Sequence, residues 1–181
     1  VDDMLLLTRL ERDPLSVTAD EDMSLQFMLA GSDLAFRAKA EAADVTLNVV
    51  MHTEDVVFRG DARRLGQVVG NLLANAIEFT PNGGSVTLSG GYREHVVCFD
   101  VTDTGPGIPA EERTRVLEKF YQVHRAHSRK QGLGLGLAIC RGIVGAHGGT
   151  LTIEDAATGG TRVVVELPME GNDEKNSFDC R

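Results

Sequence analysis

The chain is short of positive charge. It sets 18 Lys and Arg against 27 Asp and Glu, for a net charge of −9 at pH 7. Nucleic acid calls for a basic footprint, so this balance argues against it as a partner. It also disfavours an anionic membrane surface. A polyanion can still be held locally, where backbone N–H groups outweigh distant side chains. Cysteine is scarce: Cys98, Cys140 and Cys180 form no CxxC, and the odd count suits a reducing cytoplasm. No apolar run approaches the roughly 20 residues of a membrane span, so no membrane contact is expected from this stretch. No secretory leader is visible, because "VDDMLLLTRLERD" carries acids where a basic region would stand. The chain opens on Val1 rather than Met, which predicts a piece of a longer protein.

What is present suits one domain with a real core. The 181 residues are 42% apolar and 25% charged. Residues 1–12 read as the last turns of a longer amphipathic helix, with Met4, Leu5, Leu7 and Leu10 on its apolar side. Residues 13–23 read as a linker. From Ser24, a predicted N-cap, the residues Phe27, Met28, Leu34, Ala35, Ala38 and Ala42 fall at helical spacing. Strands are predicted at 45–51 and 56–60, then a helix capped by Asp61 and running to Phe79. Strands follow at 85–92 and 95–102, a short helix near Ala110, a helix from about Gly134 to His147, and strands at 150–155 and 161–167. Residues 169–181 form a polar tail. Helix and strand mix without regular βαβ alternation, which predicts an α+β two-layer sandwich over 24–168.

The helix at 61–79 carries an unusual stripe. Arg64, Gln67, Asn71, Asn75 and Glu78 fall within one narrow wedge, opposite Leu65, Val69, Leu72, Leu73 and Ala76. A solvated face on a core helix is the ordinary explanation. Asn is a poor helix former, however, so two of them mid-helix need a reason. Four apart, they offer amide oxygens at adjacent levels, which suits a hydrated Mg²⁺ completing its shell with water and phosphate.

Two glycine loops add to this. "DTGPGIP" (103–109) brings the backbone close to a flat ligand after a strand, with Asp103 offering its carboxylate to an amino group such as that of adenine. "GLGLGLAIC" (132–140) alternates like a strand, but three glycines would weaken one. Leu135, Ile139 and Ile143 continue at helical spacing, so a glycine loop opens a helix and offers an anion site. No Lys–Ser/Thr pair follows, so it is not a P-loop. In "HRAHSRKQ" (124–131), Arg125, Arg129 and Lys130 could reach a triphosphate, while His124 and His127 lack companions at metal-ligand spacing.

In order, "NLLANAIEFTPNGG", "DTGPGIP", "EKFYQ", "GLGLGLAIC" and "GGTRVVVELP" resemble the N, G1, F and G2 boxes and closing strand of sensor histidine kinase catalytic and ATP-binding domains. The resemblance covers about residues 20–168 and extends to the wider superfamily of gyrase, heat-shock 90 and mismatch-repair ATPases. It implies a mixed five-stranded sheet on three helices, with ATP held between the helical layer and a lid. It implies Asn75 as the Mg²⁺ ligand, with Asn71 beside it near the phosphates. Asp103 is implied as the adenine acceptor, with Thr161 as a water-linked partner, and Phe79 as a ring against the nucleotide. Gly105, Gly107 and Ile108 match the adenine-side loop, and Phe120 and Tyr121 the lid hinge. Gly132, Gly134 and Gly136 match the phosphate loop, which also includes Leu133 and Leu135. Residues 1–12 resemble the end of a dimerisation helix.

The resemblance also implies a reaction. The ATPase relatives carry a water-activating Glu where this chain has Asn71, whose amide cannot take a proton at neutral pH. The γ-phosphate would then go to a histidine on the dimerisation helices of a homodimer, and on to an aspartate of a response-regulator receiver domain. His52, His95, His124, His127 and His147 do not match that acceptor. Two positions depart from the family. Glu78 stands where Lys, Arg or His is usual, and Gln122 where Arg is usual. At about 6 Å and an effective dielectric near 20, one such charge pair is worth roughly 3 kcal/mol before screening. The departures bear on phosphotransfer more than on nucleotide binding. They favour the alternative of a nucleotide-binding signalling module with weak or no kinase activity. A stand-alone ATPase or anti-sigma serine kinase is a third reading, disfavoured by the helix remnant and the Phe–Tyr hinge.

Overall fold

A computed structural model describes residues 21–122 and 133–169. In chain order the elements are β1 (Glu21–Ser24), α1 (Leu25–Ala42), β2 (Thr46–Met51), β3 (Val57–Gly60), α2 (Ala62–Phe79), β4 (Ser85–Arg93) and β5 (Val96–Asp103). Two short 3₁₀ turns (Ala110–Glu112, Arg115–Leu117), α3 (Gly136–Ala146), β6 (Thr150–Asp155) and β7 (Thr161–Pro168) complete them. The sheet runs β2-β4-β5-β7-β6. β2 is parallel to β4, and the other pairs are antiparallel. This is the expected α+β sandwich with a mixed five-stranded sheet, and α1, α2 and α3 form its helical layer. The readings made at residues 1–12, in the basic stretch and in the tail from 170 onward lie outside the described residues.

The two predicted caps form. Ser24 accepts from the Phe27 N–H at 2.9 Å, and Asp61 from the Arg64 N–H at 2.9 Å. Ser24 Oγ also donates to Asp55 at 2.6 Å, and the Gln26 N–H donates to the same carboxylate at 2.9 Å. Those bonds, led by Ser24, hold the Asp55 carboxyl below its usual range.

α2 buries Leu65, Val69, Leu72, Leu73 and Ala76, as its periodicity predicts, together with Val68 and Ile77. α1 is a helix as expected but turned about its axis. It buries Leu25, Met28, Leu29 and Ala40, whereas Phe27 and Leu34 are 81% and 82% exposed. Its many alanines define no strong side, so close packing sets the rotation. Gly90 on β4 makes room for it: a Cβ there would lie 2.7 Å from Leu29 Cδ1. Glu21–Ser24, which has no strand-like alternation, pairs antiparallel with β3. The short helix expected near Ala110 is a pair of 3₁₀ turns.

Val97, Phe99 and Val101 alternate inward along β5 and lie buried in the core. Asp103 continues that alternation, so the strand delivers a carboxylate to the helical side of the sheet. On the other face, buried Asp100 accepts from Ser89 Oγ at 2.5 Å and from Arg162 Nε at 2.7 Å. Cys140 is a buried free thiol. Among the described residues no helix is long and apolar enough to cross a membrane.

Candidate functional site

A cavity of about 320 Å³ opens between the sheet and the helical layer. Its volume lies within the range of small-molecule sites. Its floor is apolar, with Leu72, Ala76, Val101 and Val163 supplied by α2, β5 and β7. From sequence Leu72 and Ala76 read only as the apolar side of a helix, and Val101 and Val163 only as strand residues. Their periodicity was legible, but nothing in it separates a core wall from a cavity floor.

Asp103 sits at one end. It is 8% exposed, and its Oδ1 accepts from the Gly105 N–H at 2.8 Å and the Thr161 N–H at 3.1 Å. These two backbone donors fix the carboxylate in orientation. Thr161 is itself buried and lines the cavity. Gly107 and Ile108 line the same end. Gly105 stands behind them, where a Cβ would come 2.9 Å from both Asp103 Oδ1 and the Phe79 carbonyl oxygen.

The opposite wall is α2 and the start of α3. Asn75 and Glu78 line the cavity, and Phe79 stands half exposed at its rim. Asn71 does not line it. Its Nδ2 donates to the Gly136 carbonyl at 3.4 Å, tying α2 to the first residue of α3. Leu133, Gly134, Leu135 and Gly136 all line the cavity. Leu135, at the N-cap of α3, gives no side-chain hydrogen bond to the first turn, and the positive end of the helix lies beside this wall.

Phe120 and Tyr121 part company. Tyr121 and Gln122 line the cavity, and Arg115 lies 4.4 Å from the Tyr121 ring centre. Phe120 faces solvent instead, at 57% exposure and φ 62°. Its N–H donates to the Gly134 carbonyl at 2.9 Å, and a Cβ on Gly134 would lie 2.8 Å from the Tyr121 carbonyl oxygen. Arg125, Arg129, Lys130 and Gly132 lie outside the described residues.

The site accommodates an adenine nucleotide. A buried, fixed carboxylate faces an apolar slot of the right size at one end, and glycine backbone opens a helix at the other. For Mg²⁺ the fitting donor is the Asn75 amide oxygen beside Glu78, with the remaining ligands left to phosphate and water. Among the described residues no group of three His, Cys, Asp or Glu gathers into a metal site.

A mixed sheet under three helices, with a slot between an aspartate and a glycine-opened helix, is an ATPase-type nucleotide-binding domain. Residues 60–171 match the family described as histidine kinase-, DNA gyrase B-, and HSP90-like ATPase, and the chain belongs to that family. It is 38% identical over 173 residues to sensor histidine kinase RppB of Synechocystis, covering 93% of this chain and 37% of that one. The solved catalytic domain of histidine kinase ThkA, nucleotide-free, superposes with a TM-score of 0.73 at 28% identity, covering 82% of this chain and 96% of that one. Full-length ShkA in complex with AMPPNP gives 0.78 at 26% identity, over 93% of this chain and 35% of that one. These matches group the chain with the catalytic ATP-binding domains of sensor histidine kinases. It spans little more than a third of RppB.

Proposed function

We propose that this domain binds ATP with Mg²⁺ and transfers the γ-phosphate to a histidine on dimerisation helices of its parent protein, a homodimer. A response-regulator receiver aspartate then takes the phosphate. The observation that carries the reading is Asp103, held by two backbone N–H groups at the closed end of an apolar slot. The carboxylate accepts the adenine amino group, the slot holds the ring, and the open start of α3 receives the phosphates. Asn75 holds Mg²⁺, which neutralises phosphate charge when bound.

Asn71 supports transfer over hydrolysis. Its amide is no base, and it is engaged with the Gly136 carbonyl. The protein's task is then positioning and electrostatic stabilisation. Residues 1–12 are the end of the second dimerisation helix in this reading; the linker expected over 13–23 gives way at Glu21 to β1, which pairs with the catalytic domain, and 169–181 are a tail. It works on the cytoplasmic side of a parent that can be membrane-anchored. Arg125, Arg129 and Lys130, with Gly132, complete the phosphate side.

Glu78 favours a second reading, a nucleotide-binding module with weak kinase activity. It lines the cavity with a charge of the wrong sign for phosphate. Restoring the upstream helices and adding radiolabelled Mg-ATP separates the two. Acid-labile label on a helix histidine is expected, and nucleotide binding without label would leave only the second reading. Asp103→Ala should abolish ATP binding, and unchanged affinity would remove the adenine assignment.

A further inference from the structure

The end of the cavity around Asp103 is built from two turns far apart in sequence. One is the loop from Asp103 to Pro109. The other joins β6 to β7, closed by Gly159 N–H to Ala156 O at 2.9 Å and Ala156 N–H to Gly160 O at 3.0 Å. They touch backbone to backbone: a Cβ on Gly107 would lie 3.3 Å from the Gly159 carbonyl oxygen.

One side chain fastens them from outside the cavity. Arg113 follows the first 3₁₀ turn. Its Nε donates to the Ile108 carbonyl at 3.1 Å, and its Nη2 donates to Asp155 Oδ1. Ile108 lines the cavity, and Asp155 is the last residue of β6, at the root of the second turn. Arg113 itself does not line the cavity. The Asp155 side chain is largely exposed, so the ion pair alone contributes little. The bond to the carbonyl is charge-assisted, on an arginine side chain that is 23% exposed. A planar guanidinium fork can serve both acceptors at once, which the point charge of a lysine does not reproduce.

We propose that Arg113, braced by Asp155, is a positioning residue for the nucleotide base: it fixes the Ile108 backbone against the β6–β7 turn so that the base slot is formed before nucleotide arrives. The proposal rests on the adenine-nucleotide reading of the same cavity. A preformed slot spends less binding energy on ordering its own wall.

The test is calorimetric titration of ADP into the chain and into R113Q, R113K, D155N and R113Q/D155N, with amide hydrogen exchange on each. R113Q should weaken ADP about tenfold, the scale of a lost charge-assisted bond. R113K should weaken it nearly as much, and D155N about threefold. In the R113Q background D155N should add nothing, since its effect runs through Arg113. Exchange should quicken in R113Q at 105–108 and 156–160 and stay unchanged in α2. Wild-type affinity in R113Q or R113K would overturn the proposal. So would effects of R113Q and D155N that simply multiply, or exchange that quickens across the whole domain. Loss of ADP in D103A with retention in R113Q removes the brace alone. Retention in D103A removes the base reading beneath it.

Discussion

Gly160 presses against Asp103 so closely that a Cβ at 160 would lie 2.0 Å from the Asp103 carbonyl oxygen. The backbone of the β6–β7 turn is therefore packed directly on the residue assigned to the base.

Gly160→Ala must push that turn away from β5. ADP affinity should fall more than tenfold, with a lower melting temperature. Gly145→Ala on α3 is the control, because a Cβ there meets nothing within 4 Å. It should leave ADP binding alone and add about 0.5 kcal/mol or more of stability. Equal behaviour of the two variants in titration would refute the close-packing argument.

Glu78→Lys replaces the unfavourable charge on the cavity wall. The affinity for an ATP analogue relative to ADP should rise about tenfold, equivalent to about 1.4 kcal/mol. An unchanged ratio would return Glu78 to a solvated helix face.

His147 links the end of α3 to the start of α2. Its Nε2 accepts from the Asp61 N–H at 3.0 Å, and its Nδ1 lies 2.8 Å from the Ile143 carbonyl, so the proton sits on Nδ1. His147→Ala leaves the Asp61 N–H without this partner and should cost about 1–2 kcal/mol in urea unfolding. A change below about 0.5 kcal/mol would mean that water replaces the imidazole at no cost.

Burial pushes the Cys140 thiol up from 9.0 to about 12, opposed only in part by Asn71. The folded state therefore keeps a proton that the unfolded chain releases above pH 9. Stability from this group is full below pH 9 and is lost as pH rises toward 12, by up to about 1.4 kcal/mol per pH unit. Cys140→Ala should flatten that part of the stability profile relative to the parent. Parallel profiles for the two proteins would show that the thiol is not protected in this way.

The helix caps and the Asn75–Glu78 wall were legible because each depends on residues near one another in sequence. Ser24 caps three residues on, and α2 repeats its polar stripe every turn. Asn71 belongs to the same stripe but points its amide at Gly136 rather than into the cavity, a difference of one turn that periodicity does not resolve. The rotation of α1 was not legible, since alanines on several sides leave Leu25 and Leu29 to be selected by Gly90 across the interface. Arg113 was read past entirely. Its acceptors are a backbone carbonyl and a carboxylate on a distant strand, and neither leaves a spacing pattern in the chain.

The bond from the Phe120 N–H to the Gly134 carbonyl has an engineering consequence. It brings residues 120 and 134 together in space, so the two flanks of the segment between them are held against each other. A segment exchanged between Gln122 and Leu133 therefore joins two ends that already sit side by side, and the cavity residues Tyr121, Gln122 and Leu133 stay in the frame.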